Sequence, residues 1–183
     1  MNKTLKYKGF LKIFNVEDEN KNGVTINREV MSRATDGKSD DVVSGLLWDK
    51  EKDMFYLVKQ YRAGATDQDR YLIEAVAGTL EEGEDPIECF KSESIEEVGF
   101  ECISVLELGS FYTSPGGTTE RVHLFLGIGS RTSEGGGLEE ENEDIEVLEY
   151  GFDDLNSIDI IDLKTAYLIN YQRLLNQTLP EQL

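Results

Sequence analysis

Eight segments of the chain carry the two-residue alternation, or the β-branched and aromatic runs, of strands, and only two carry a helical period. Such a chain must be dominated by sheet. Strands are expected at about Tyr7–Phe14, Val24–Ser32, Asp41–Trp48, Phe55–Gln60, Tyr71–Ala77, Ile103–Tyr112, Arg121–Gly129 and Ile145–Tyr150. Helices are expected over Pro86–Val98 and over a C-terminal stretch in which Ile160, Leu163, Tyr167, Leu168, Tyr171, Leu174 and Leu175 recur at three- and four-residue steps. Because helices do not alternate regularly with strands, the class is α+β rather than repeated βαβ. At 183 residues the chain has material for one principal domain, perceptible internal repeats are absent, and Gly116-Gly117 and Gly135-Gly136-Gly137 mark loops.

Charge narrows the function classes. The chain carries 18 Lys and Arg against 37 Asp and Glu, a formal net charge of −19, and such a field repels nucleic acid and anionic membrane surfaces. No apolar run approaches the roughly 20 residues that cross a bilayer. Cys89 and Cys102 are too few for a disulfide framework, and the N-terminal residues lead into no apolar signal core, so a reducing cytoplasm is expected.

The acids are concentrated in two places. One group lies at 81, 82, 84, 85, 88, 93, 96, 97 and 101, opposed only by Lys91; the other runs Glu139-Glu140-Glu141-Asn142-Glu143-Asp144-Ile145-Glu146. Asp85-Pro86-Ile87-Glu88 reads as a helix start, with Asp85 as N-cap, Pro86 in the first turn and Glu88 reaching back as a capping-box partner. At about 100° per residue Ile87, Phe90, Ile95 and Val98 share an apolar side, while Glu93, Glu96 and Glu97 crowd a neighbouring strip. Like charges at i,i+4 destabilise a helix, and a hard divalent cation with oxygen ligands relieves that repulsion.

Read outward from that helix, Gly78, Glu84 and the run Ser92-Glu93-Ser94-Ile95-Glu96-Glu97-Val98-Gly99-Phe100 resemble the Nudix box, GX5EX7REUXEEXGU. Two positions depart from it: Ser92 stands at the arginine and Ser94 at an apolar position. The resemblance implies a Nudix fold, a mixed β-sheet sandwich flanked by helices, here with an N-terminal β-sheet appendage. It also implies Mg²⁺-dependent hydrolysis, with Mn²⁺ as the alternative ion, of a nucleoside diphosphate linked to another group. The division expected is residues 1–38 as an N-terminal strand region for dimerisation and substrate contact, and 39–183 as the hydrolase domain.

The likeness continues outside the box. Glu74-Ala75-Val76-Ala77-Gly78, the run Ser114-Pro115-Gly116-Gly117-Thr118-Thr119-Glu120-Arg121 and the acidic stretch Glu141-Asn142-Glu143-Asp144-Ile145-Glu146-Val147 are similar to the ADP-ribose pyrophosphatase branch. Gly135-Gly136-Gly137-Leu138 and Ile145-Glu146-Val147-Leu148-Glu149 look equally like GDP-mannose pyrophosphatases. In either branch the resemblance implies metal held by Glu93, Glu97, the Ala77 carbonyl and Glu143, with Glu96 assisting and Glu141 as general base. The roles of Glu141 and Glu143 are interchangeable on this reading. Substrate contacts carried over are Arg62 of Gln60-Tyr61-Arg62, Glu74, Pro115, and Arg28 of Arg28-Glu29-Val30, the last across a homodimer. The expected products are a nucleoside monophosphate and a sugar phosphate.

Three other readings remain beside this one. A catalytically impaired sensor of nucleotide sugars is the alternative that Ser92 invites. Asp18-Glu19-Asn20-Lys21-Asn22-Gly23 with Glu29 fits the spacing of a calcium loop, although strands flank it and Asn22-Gly23 has the chemistry of a hairpin turn. Tyr61, Phe111 and Tyr112 are candidates for stacking on a base, and His123, the only histidine, is expected to be a satisfied strand residue.

Overall fold

The computed structural model describes residues 1–34, 37–66, 70–137 and 144–178, with Gln177 and Thr178 described by backbone alone. The first three strands, β1 (Asn2–Lys8), β2 (Lys12–Glu19) and β3 (Thr25–Ser32), form an antiparallel sheet in chain order. Seven more make a mixed sheet: β4 (Lys38–Asp49), β5 (Met54–Tyr61), β6 (Tyr71–Glu74), β7 (Val76–Glu81), β8 (Phe100–Tyr112), β9 (Arg121–Arg131) and β10 (Ile145–Gly151). Its main path runs β10-β5-β4-β9-β8, with β6 on β5 and β7 on β4; β4 and β9 are parallel and the other pairs antiparallel. Helix α1 (Pro86–Val98) covers one face, and α2 (Phe152–Leu155) and α3 (Leu163–Thr178) cover the other.

Alternation along β4 produces both cores. Val42, Leu46 and Trp48 pack with Leu155, Leu168 and Ile169, while Val43 and Leu47 pack with Phe90 and Val98 of α1. Gly45 of β4 and Gly127 of β9 allow α1 to sit close: a Cβ on Gly45 would run into the Phe90 ring, and one on Gly127 would press on Leu47 and Phe90. Phe90 uses that space to stack on Phe125 at 5.1 Å. This packing fixes the height of α1 above the sheet, and therefore of its carboxylates.

Several expectations require correction. The segment Tyr7–Phe14 is two strands, because the chain turns at Gly9, whose N–H donates to Leu11 O at 3.0 Å before Lys12 pairs with Lys8. Tyr71–Ala77 divides at Ala75, whose N–H leaves the ladder for Thr165 Oγ1 of α3 at 2.7 Å. Ile160 packs on the core from outside α3, since Asp162 accepts from Thr165 N at 2.9 Å and caps the helix there. Ile95 is half exposed rather than part of the apolar side of α1, which buries Cys89, Phe90, Ser94 and Val98.

The calcium-loop spacing is a hairpin. Gly23 has φ +75°, Glu19 pairs with Thr25, and Asn20 Oδ1 accepts from Asn22 N and Val24 N, so the segment is consumed by its own turn. Glu29 pairs with Asn15 on the ladder instead of closing an ion loop.

Asp40 joins the small sheet to the large one. Its carboxylate accepts from Ser32 Oγ, Arg33 N, Ala34 N and Thr119 Oγ1 at 2.7–3.0 Å. Burial alone would raise its pKa, but the bonds from Thr119, Ser32, Ala34 and Arg33 hold it below the usual carboxylate range. Beside it Met31 exchanges backbone bonds with Gly117 and Thr119, at 2.8 and 3.1 Å. No helix among the described residues is long and apolar enough to cross a membrane.

Candidate active site

The site begins at the turn into α1. Asp85 Oδ1 accepts from Ile87 N at 2.9 Å and Glu88 N at 3.2 Å, Pro86 occupies the first turn, and Gly99 ends the helix at φ +71°. The expected capping box is incomplete, for Glu88 bonds to Lys91 Nζ at 2.7 Å. Glu84 closes the preceding turn instead, its Oε2 accepting from Glu81 N at 2.8 Å. Ser94, in the apolar slot, is buried and satisfied by donating to Phe90 O at 2.6 Å. Ser92 is exposed on the outer side of the helix.

The C-terminal end of α1 is fastened by the glycine run. Gly136 N donates to Glu97 O at 2.8 Å and Gly137 N to Glu96 O at 3.0 Å, with φ values of +110° and +81° that only glycine adopts readily. Arg131 Nε adds a bond to Val98 O at 3.0 Å. The chain entering the acidic stretch is thus hydrogen-bonded to the carbonyls of the two glutamates that crowd the helix.

Beside this helix lies a cavity of about 720 Å³ lined by side chains of both charges. Glu93, Glu96 and Glu97 line it together with Ala77, Gly78 and Thr79. Arg33, Lys38, Arg62 and Lys164 bring positive charge to the same cavity, in a protein of net charge −19. Phe10, from the β1–β2 turn, reaches its rim. A second, more open cavity of about 820 Å³ lies by Lys52, Arg131 and Glu149 and contains none of the expected site residues.

The buried Glu97 carboxylate accepts from Gln60 Nε2 at 2.9 Å and from Ala77 N at 3.2 Å. Glu93 folds its carboxylate over Gly78, filling the place that a Cβ would take. Among the cations of the cavity Arg62 Nε meets Glu74 Oε2 at 2.5 Å, and Lys164 Nζ stands 3.8 Å from Glu74 Oε1 and 2.7 Å from Asp162 Oδ1. Burial would raise the pKa of Asp162, but Lys164 and the Thr165 bonds hold it low. Arg33 is oriented by Glu120 at 3.0 Å.

Of the expected residues, the fold therefore brings together Ala77, Glu93, Glu96, Glu97, Arg62 and Glu74. It does not bring Arg28 or Pro115 into this cavity within one chain: Arg28 is exposed on β3 and bonds Asn27 O, and Pro115 lies in the exposed 114–118 turn. Glu141 and Glu143 lie outside the described residues. Tyr61, Phe111 and Tyr112 do not line the cavity; Tyr61 packs edge-on against Tyr71 and Phe111 against Tyr167. His123 is held on both ring nitrogens, by Ser110 Oγ at 2.7 Å and Asp41 Oδ2 at 3.3 Å, as a strand residue. Burial pushes the Cys89 thiol up to about 12, with Glu84 and Glu93 adding to it, so it is no nucleophile at neutral pH.

Sequence reasoning missed Phe10, Arg33, Lys38 and Lys164, and cited Gln60 and Glu120 only as members of the runs around Arg62 and Pro115. No local pattern marks them.

The donor set suits a hard cation. Among the described residues no three His, Cys, Asp or Glu side chains close a ligand cage, yet Glu93, Glu96 and Glu97 of α1 border one cavity with Ala77 and Gly78. That is an open, oxygen-only set of the kind that suits a hard divalent cation.

Residues 38–170 match the family model described as the NUDIX domain. The chain belongs to the Nudix family. Among its curated relatives, the GDP-mannose pyrophosphatase of Cronobacter sakazakii is 40% identical over 139 residues, covering 70% of this chain and 71% of that protein. The GDP-mannose pyrophosphatase of Escherichia coli K12 is 39% identical over 136 residues, covering 69% and 70%. A crystal structure of an ADP compounds hydrolase superposes with a TM-score of 0.74 at 18% identity, covering 97% of this chain and 95% of that one, and shares the Nudix fold. The matched region begins where β4 does, so the three-stranded sheet precedes it.

Proposed function

We propose that this Nudix protein hydrolyses the pyrophosphate bond of a nucleoside diphosphate sugar, of the GDP-mannose type first and the ADP-ribose type second, to a nucleoside monophosphate and a sugar phosphate. The observation that carries the reading is the single cavity lined by Glu93, Glu96 and Glu97 and also by Arg33, Lys38, Arg62 and Lys164. A diphosphate diester is an anion, and a chain of net charge −19 attracts one only where cations are gathered locally. The names of the relatives at 39–40% identity favour the mannose substrate.

Glu93, Glu97 and the Ala77 carbonyl would hold the divalent ion, Mg²⁺ or alternatively Mn²⁺, with Glu96 beside them and Glu143 completing the set. When bound, such an ion neutralises charge on the phosphate oxygens and acidifies the attacking water. Arg62, anchored on Glu74, and Lys164 hold the diphosphate in register with the carboxylates. Glu141 takes the proton of the attacking water as general base. Arg28 and Pro115 are substrate contacts only if a second copy presents them, which is the reason for proposing a homodimer in which residues 1–38 reach the partner's site and 39–183 carry the chemistry. The unpaired thiols Cys89 and Cys102 accord with a cytoplasmic setting.

The test is to incubate the full chain with Mg²⁺ and, separately, GDP-mannose, ADP-ribose, UDP-glucose and NADH, and to quantify monophosphates by ion-exchange chromatography. Rapid GMP release supports the mannose reading and AMP release the ribose one. A folded, metal-binding protein that releases no monophosphate from any of the four is a sensor rather than an enzyme.

A further inference from the structure

The buried bond between Gln60 and Glu97 crosses from the sheet to the helix. Gln60 Nε2 donates to Glu97 Oε1 at 2.9 Å, and the Ala77 N–H meets the other oxygen at 3.2 Å. Gln60 is 7% exposed and Glu97 2%, so the bond is formed out of bulk water, where its alignment matters most. Gln60 is also a rigid platform: β5 is paired on both sides at that residue, with Leu72 of β6 and Ile145 of β10.

A glutamate side chain has three torsions, and one donor on each oxygen defines both the position and the plane of its carboxylate. An amide donates without carrying charge, so it orients the anion and leaves its full negative charge for a cation. A lysine or arginine at the same distance would hold the carboxylate equally well and neutralise it. We propose that Gln60 is a positioning residue that presents Glu97 to the divalent ion, an inference that rests on the reading of Glu97 as a metal-binding carboxylate. Gln60 borders the same cavity, and its part in this proposal is exerted through Glu97.

The experiment compares the full-length protein with its Gln60→Met, Gln60→Asn and Glu97→Gln variants. Met keeps the volume and removes the donor; Asn keeps the amide but draws it back by one methylene, out of reach of Glu97. Free Mn²⁺ is followed by electron paramagnetic resonance during titration of each protein, melting is followed by circular dichroism, and hydrolysis of GDP-mannose is measured over a range of Mn²⁺. Loss of an outer partner of a metal-binding carboxylate weakens metal affinity by about 10–100-fold. Both Gln60 variants are therefore expected to bind Mn²⁺ at least about 10-fold more weakly, with the Mn²⁺ for half-maximal hydrolysis rising by the same factor and KM for GDP-mannose at saturating Mn²⁺ unchanged. If Gln60→Met does not fold, Gln60→Asn decides the comparison.

A Gln60 variant that melts like the wild type and binds Mn²⁺ as tightly overturns the proposal. So does one that loses kcat at every Mn²⁺ concentration while its affinity for the ion stays the same. A wild-type protein that binds Mn²⁺ but hydrolyses no nucleotide sugar overturns the functional reading alone, and the Mn²⁺ titration still decides the role of Gln60. A wild-type protein that binds no Mn²⁺ overturns both.

Discussion

The carboxylate of Glu93 lies over Gly78, in the space where any other residue would carry its Cβ. The glycine is not demanded by backbone conformation, since Gly78 is absent from the left-handed positions of the chain. It is demanded by the neighbour. Gly78→Ala should leave the strand β7 intact and displace Glu93, and a displacement of about 1 Å at a reacting centre costs on the order of 100-fold in rate. The measurement is kcat/KM beside a thermal melt: a large kinetic loss with a small melting shift is the expected pair.

Glu97 has the same exposure as a core residue and yet is a carboxylate. Glu97→Gln keeps its shape and removes its charge, while still letting Gln60 and Ala77 pack around it. Turnover should fall by about 100-fold or more, and added Mg²⁺ should restore little of it. Steady-state rates across a Mg²⁺ series give the answer; unchanged turnover would remove Glu97 from the proposed metal set.

What the sequence made legible is what is local. The start of α1 is written within four residues, by Asp85, Pro86 and the N–H groups of Ile87 and Glu88, and its end by Gly99, so both boundaries were readable. The glutamate spacing on α1 was readable for the same reason. The partners of those glutamates were not, because they come from elsewhere: Gln60 reaches Glu97 across 37 positions, and Arg33 reaches Glu120 across 87. Lys164 carries no local signal of its own, because α3 is seated on the sheet by Thr165, 90 positions from the Ala75 N–H it binds. The split at Ala75 was hidden for that reason as well, since its neighbours on both sides have strand chemistry. Tyr7–Phe14 failed differently: Gly9 is a lone glycine in an alternating run, without the paired turn residues that signal a hairpin.

Arg62 and Lys164 share one buried carboxylate, Glu74, which holds both cations at the cavity. If they grip the diphosphate, their loss appears in binding before it appears in chemistry. Arg62→Met should raise KM by about 10-fold or more, the equivalent of one hydrogen bond to a charged group, with a smaller change in kcat. Arg62→Lys should recover only part of it, because a point charge does not reproduce the planar fork. Initial-rate kinetics at saturating Mg²⁺ separate the two parameters.

Asp40 is the acid on which the N-terminal sheet depends. Its carboxylate is hydrogen-bonded to Ser32, Arg33, Ala34 and Thr119, and its pKa in the folded protein is held below the ordinary value. A carboxyl group with a lowered folded pKa contributes stability that is complete above its unfolded pKa of about 4. That contribution disappears as pH falls below about 4 and through the lowered value. The attachment of β1–β3 should therefore loosen in acid before the large sheet melts. Asp40→Ala should produce the same loosening at neutral pH, since it removes the acceptor shared by Ser32 Oγ, Arg33 N, Ala34 N and Thr119 Oγ1. Hydrogen exchange at Met31, Arg33 and Thr119 is the measurement, because the backbone bonds of these residues lie at the junction. Faster exchange there in Asp40→Ala, with exchange in β4 and β9 unchanged, is the expected result; equal acceleration throughout would mean that Asp40 supports the whole fold instead. Since Arg33 and Phe10 come to the cavity from this sheet, the same variant should also raise KM for the nucleotide sugar.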